Sequence, residues 1–125
     1  MHTQQYDALI EACQSCALAC DTCASACLRE DDVKMMAECI ALDMDCAQMC
    51  RLTASLAARD SRFTAALAST CADVCDACGD QCAQHQAQHC QDCARACRQC
   101  ADACRQLPAG GPTASARADA AGAPH

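Results

Sequence analysis

The chain has 125 residues, of which 17 are Cys and 30 are Ala, while only 13 are Leu, Ile, Val or Phe. An interior of large aliphatic side chains is excluded, so Cys and Ala must fill it. A formal charge of −7, nine Lys or Arg, one Tyr, one Phe and no Trp exclude both a phosphate-binding face and a base-stacking platform, and with them nucleic acid as a partner.

From residue 3 to residue 107 there is no Pro and a single Gly, and Ala is abundant, which predicts helices and no strands. Helix breaks are expected where capping or charged residues cluster: at Arg29, Glu30, Asp31 and Asp32, at Arg59, Asp60 and Ser61, and across Gln84 to Gln88. The predicted helices are 3–29, 32–58, 61–85 and 88–107. Connections this short force neighbours to run antiparallel. The expectation is an all-α, antiparallel up-down-up-down four-helix bundle with a Cys-lined core over residues 1–107, followed by a disordered Pro-, Gly- and Ala-rich tail over 108–125. Gly79 lies inside the third predicted helix at a cost of about 1 kcal/mol relative to Ala, which close approach of another helix would explain. Met1 to Cys13 carries neither a charged n-region nor an apolar h-region, and no stretch approaches ~18 uninterrupted apolar residues, so a cytoplasmic protein without a membrane span is expected.

The Cys residues fall into four groups, one per predicted helix: Cys13, Cys16, Cys20, Cys23 and Cys27; Cys39, Cys46 and Cys50; Cys71, Cys75, Cys78 and Cys82; and Cys90, Cys93, Cys97, Cys100 and Cys104. Every gap within a group is three, four or seven, a spacing that returns to one helical face. Each helix therefore carries a stripe of sulfur where a bundle normally places Leu, and the first stripe alone runs about 21 Å. Thiolates are soft ligands that select Cu(I), Zn or iron–sulfur clusters. Neighbouring sulfurs on a stripe are close enough to share an ion, which suits two- or three-coordinate Cu(I) better than tetrahedral Zn. Charge points the same way: about 17 monovalent ions would neutralise 17 thiolates, whereas about four Zn ions would leave a strongly anionic interior. Iron–sulfur spacings are absent, and no Cys precedes a Pro. A zinc or general thiolate store and a thiol redox protein are the alternatives. The second would normally show one CxxC at a helix start after a strand.

The antiparallel path gathers Cys27, Met35, Met36, Cys82, His85, His89 and Cys90 at one end. Their thioethers and imidazoles are further ligands able to pass Cu(I) inward. The opposite end is expected to be a dry plug of Ile10, Leu52, Leu56, Phe63, Leu67 and Leu107, with Leu9 and Ala68 standing where the sulfur stripe would continue. Met44 and Met49 flank the second stripe and are expected to pack against a neighbouring helix or subunit; His2 and His125 sit near the chain ends and are expected to be inert. Asp43, four residues after Cys39 on the stripe, is placed to ligate or hydrogen-bond near metal, but the preferred expectation is a partly exposed acid.

The runs CQSCALACDTCASAC, CADVCDACGDQC and HCQDCARACRQCADAC, together with the His and Met residues at one end, resemble the copper storage proteins over residues 5 to 107. Without an export signal, the chain is similar to the cytosolic branch. The resemblance implies a homotetramer of bundles, each filled with many Cu(I) ions held by pairs of thiolates, with copper admitted near Met35, Met36, His85 and His89. It implies a store and buffer served by a copper donor or acceptor protein or a small thiol, not an enzyme. Leu9 and Ala68 depart from the richest ladders of that family, as does a second helix with three Cys.

Overall fold

A computed structural model of the chain describes residues 3–107. The expected tail over 108–125, with His125, and His2 lie outside the described residues. Four α-helices follow one another, α1 (Thr3–Cys27), α2 (Ala37–Ala58), α3 (Thr64–Ala83) and α4 (Gln88–Arg105), with a short 3-10 helix, Val33–Met36, ahead of α2. Each helix packs on two neighbours in the cyclic order α1, α2, α3, α4. None of the described helices is long and apolar enough to cross a membrane.

The expected helices are present, and their ends differ for local reasons. After Cys27 the chain tightens into i→i+3 bonds, Arg29 N–H to Ala26 C=O at 3.0 Å and Glu30 N–H to Cys27 C=O at 3.2 Å, which closes α1 before residue 29. Asp32 precedes the 3-10 turn but makes no side-chain cap bond, so α2 proper starts five residues later than its capping chemistry suggested. The α2–α3 turn is set by Asp60, whose φ of 55° is the left-handed conformation that helix ends usually assign to Gly. There Asp60 N–H reaches Ala57 C=O at 3.0 Å and Ser61 N–H reaches Leu56 C=O at 2.9 Å, satisfying carbonyls that the helix end leaves open. Between α3 and α4, the Gln91 amide donates to Ala83 C=O at 3.3 Å and His85 C=O at 2.6 Å, tying the turn down from the following helix.

The register of the bundle is read from its core side chains. Along the α2–α3 seam, Cys39 meets Cys82, Asp43 meets Cys78, Cys46 meets Cys75 and Cys50 meets Cys71, each step along α2 matched by an equal step back along α3. Along the α1–α4 seam the rungs are Cys23 with Cys90, Cys20 with Cys93, Cys16 with Cys97 and Cys13 with Cys100. Continuing the same steps beyond the last sulfurs brings Leu9, Thr53 and Ala68, and then Tyr6, Ala57 and Thr64, all buried. The Thr53 and Thr64 hydroxyls donate to the carbonyls of Met49 at 2.9 Å and Ser61 at 2.7 Å, so burying them orphans no donor.

This corrects the expected plug. Ile10 and Leu107 do pack against the core, but Leu52 and Phe63 are 45% and 53% exposed, and Leu56 and Leu67 are half-buried. These four stand off the three-and-four register and so face away from the axis. Met49 packs against the core from its flank, whereas Met44 is exposed.

Gly79 lies where α3 packs tightly against α4. A Cβ placed there would lie 3.3 Å from Cys97 Cβ and 3.5 Å from Ala94 C=O, which accounts for a helix-weakening residue in mid-helix. Gly79→Val would set two methyl groups against the α4 backbone and is expected to cost ~1–3 kcal/mol by overpacking. Urea unfolding of the reduced, metal-free variant followed by circular dichroism checks this; an unchanged midpoint would show that the helices separate freely.

Candidate metal centre

All 17 Cys are free thiols and all are buried, lining one shaft along the bundle axis. The spacing of three and four puts them there: on each helix the stripe turns inward, and the intervening Ala17, Ala47, Ala72, Ala94 and Ala101 are buried small residues flanking the stripes. Across the α2–α3 seam the sulfurs of Cys39 and Cys82 are 3.2 Å apart, those of Cys46 and Cys75 3.6 Å, and those of Cys50 and Cys71 3.8 Å. Across the α1–α4 seam the rungs measure 3.7–3.9 Å. The seams are joined as well, Cys16 to Cys46 at 3.7 Å and Cys50 to Cys100 at 3.8 Å, and toward the His and Met end Cys39 lies within 4.8 Å of Cys23, Cys27 and Cys90 while Asp43 bridges Cys82 and Cys93, so the sulfurs and this carboxyl form one connected network.

That network contains several sets of four sulfurs, each set lying within 4.8 Å, among them Cys13, Cys71, Cys100 and Cys104; Cys16, Cys46, Cys50 and Cys75; Cys16, Cys20, Cys46 and Cys97; and Cys23, Cys27, Cys39 and Cys90. Cys16 and Cys46 belong to two of these sets at once. Separate tetrahedral Zn sites each need four thiolates of their own, whereas Cu(I) accepts fewer ligands and thiolates that bridge. The sharing of sulfurs therefore fits a chain of linked Cu(I) ions better than isolated Zn centres.

Asp43 interrupts the sulfur lining near the middle of the shaft, and it is fully buried rather than partly exposed. Its place on the stripe outweighs the usual preference of a carboxylate for water, because thiols surround it as donors. Cys78, Cys93 and Cys82 lie 3.2, 3.3 and 3.4 Å from Oδ1, and Cys39 lies 3.9 Å from Oδ2. Burial pushes the carboxyl up to about 8, against the hydrogen bonds it accepts. Among the described residues it is the one buried carboxylate, and its oxygens are close enough to the sulfurs to share an ion with them.

The two ends of the shaft differ. At the His and Met end, Met36 is buried against the core, while Met35, on the outside of the same turn, is 66% exposed and is not brought to the sulfurs. The half-buried His89 points Nδ1 at the sulfurs of Cys23 and Cys90, each 3.5 Å away, with Cys27 at 3.9 Å. Half-buried His85 contacts Gln81 at 3.5 Å through Nε2. Burial raises the thiols of Cys27 and Cys90 above their ordinary range, Cys90 to about 11, so a bound ion must displace their protons. The sequence reading passed over Glu30, treated only as part of a helix break; its carboxylate lies 2.8 Å from His89 Nε2. No spacing rule announces that pair, since 59 residues separate its members.

Comparison with known proteins points to the same chemistry. The family model described as "Copper storage protein" matches residues 2–109. A solved Cu(I)-bound copper storage protein, BsCsp3, is 42% identical with a TM-score of 0.78, over 81% of this chain and 95% of that one. A cytosolic copper storage protein from Streptomyces lividans, solved during copper loading with five coppers, is 44% identical with a TM-score of 0.80, over 82% of this chain and 91% of that one. An uncharacterised cysteine-rich protein of Bacillus subtilis is 43% identical over 71 residues, which are 56% of this chain and 66% of that relative. With buried thiols along four helices and a family match over nearly its whole length, the chain belongs to the copper storage protein family.

Proposed function

We propose that residues 1–107 form a Cu(I) store and buffer that holds about 17 or more ions per chain on thiolates shared along the shaft, and that the chain is not an enzyme. One observation carries this reading: every Cys is buried in a single network in which sulfurs belong to more than one potential ion site. The ligands are the 17 Cys, with Asp43 as an additional oxygen donor amid them. Copper passes in at the mouth, where Met36, His85 and His89 stand, Met35 being an exposed thioether at its rim. The plugged end makes the shaft a dead end, which supports filling and emptying through one opening.

The finer parts of the proposal draw on the likeness to the family. The chain works in the cytoplasm, as the Streptomyces lividans relative is described, and exchanges copper with a donor or acceptor protein or a small thiol. It assembles as a homotetramer. That assembly is supported by Leu18, 64% exposed beside a surface groove that Ile10, Ala17 and Ala54 also line between α1 and α2, an apolar surface that an identical chain would cover.

Anaerobic titration of the reduced chain with Cu(I), read by elemental analysis after desalting, is expected to give on the order of 17 ions per chain, and loading should raise the thermal midpoint because the folded state holds the ions more tightly than the unfolded chain does. Binding of only one or two ions would defeat the storage reading, and retention of pre-bound Zn against Cu(I) would favour the zinc store.

Asp43 makes a separate prediction for the metal-free chain. Its folded-state pKa, about 8, is raised above the ordinary carboxyl value, so the stability it contributes is complete below that ordinary value and is lost as pH rises through about 8. Urea unfolding should show a lower midpoint near pH ~8 than near pH ~5, and Asp43→Asn, which keeps an oxygen acceptor without the charge, should reduce that difference. Equal pH dependence in both proteins would show that the carboxyl is not buried.

A further inference from the structure

Both ring nitrogens of His89 have partners in place. Nε2 lies 2.8 Å from the Glu30 carboxylate, and Nδ1 faces the sulfurs of Cys23, Cys90 and Cys27. A neutral imidazole has one donor nitrogen and one acceptor, and a carboxylate can only accept. Glu30 therefore requires the ring proton on Nε2 and leaves the Nδ1 lone pair directed at the outermost sulfur set.

We propose that Glu30 is a positioning residue for copper uptake: it holds His89 in the Nε2–H form so that Nδ1 receives incoming Cu(I) and hands it to Cys23, Cys27 and Cys90. The proposal rests on the reading of the chain as a Cu(I) store filled from this end. In the hand-over, the nitrogen–copper bond breaks as a sulfur–copper bond forms, the thiol proton leaves to solvent, and copper stays Cu(I). Glu30 is suited to the role because it is not on a loose loop. Leu28, Arg29 and Glu30 bond back to Ala24, Ala26 and Cys27, fixing the turn at the end of α1 against the first turn of α4. The Glu30 and His89 side chains are 40% and 20% exposed, and a hydrogen bond so placed adds little stability, so its effect is on orientation rather than folding.

Two measurements on the whole chain test this. Nitrogen-15 NMR of the histidine rings in the metal-free protein near neutral pH should show His89 as the Nε2–H tautomer, and Glu30→Ala should mix the tautomers. Anaerobic stopped-flow uptake of Cu(I) from a coloured chelator complex should slow about tenfold in Glu30→Ala, the low end of what loss of such an outer partner does to a ligating His. The final copper load, set by the thiols, should be unchanged. Glu30→Gln, whose carbonyl still accepts from Nε2–H, should keep the tautomer and stay within about twofold of the parent rate. In a His89→Ala background, Glu30→Ala should cause no further slowing. The proposal is overturned by an unchanged tautomer in Glu30→Ala, by Glu30→Gln slowing as much as Glu30→Ala, or by slowing that persists without His89. Failure to load many ions in the same experiment would instead refute the storage reading, whereas full loading at an unaltered rate refutes only the role of Glu30.

Discussion

The structure depends on thiol sulfurs serving as the packing atoms of its core. With 13 large aliphatic or Phe residues in 125, the chain cannot fill a bundle interior with hydrocarbon, and Cys at three- and four-residue spacing takes the positions that Leu would hold. Sulfur contacts of 3.6–4.0 Å join the helices across the axis. Packing and ligation are thus performed by the same atoms. Such a core is small in cross-section, which is why Ala flanks the stripes and why Gly79 is needed where α3 lies against α4.

One register organises both ends of this core. The steps that pair Cys46 with Cys75 and Cys50 with Cys71 continue to Thr53, Ala57, Thr64 and Ala68, where the donors stop being soft and the shaft closes. In the other direction they lead past Cys39 and Cys82 to Met36 and the two mouth histidines. At one end the hydroxyl protons are engaged with backbone carbonyls, and at the other the side chains carry imidazole nitrogen and thioether sulfur. The two directions along the shaft thus differ in the chemistry of their side chains.

The sequence displayed most of this because helical spacing is a local property. The four sulfur stripes, the antiparallel order and the asymmetry of the ends all follow from intervals of three and four. The misjudged residues are those weighed by type instead of by position. Leu52, Leu56, Phe63 and Leu67 lie off the register at the plugged end, whereas Leu9 and Ala68 stand on it as their spacing implies, and the same steps add Tyr6, Thr53 and Thr64. Asp43 fills the seven-residue gap between Cys39 and Cys46, and that position predicted its burial better than its charge did. The contact of Glu30 with His89 was not legible, because it arises from how a tight turn after α1 meets a helix 59 residues later.

Charge explains how such a core can be loaded to any extent. Each Cu(I) that replaces a thiol proton leaves the local charge unchanged, so a half-filled shaft carries no more buried charge than an empty or a full one. A divalent ion on four thiolates would deposit net negative charge at every step, in an interior already holding a carboxyl that burial drives toward its neutral form. Asp43 marks the limit of this tolerance: a single carboxyl is accommodated because surrounding thiols donate to it, and the lining to either side returns to sulfur. A row of uncharged thiols exchanging protons for a monovalent soft ion is the arrangement in which capacity can grow with the number of rungs without destabilising the bundle that presents them.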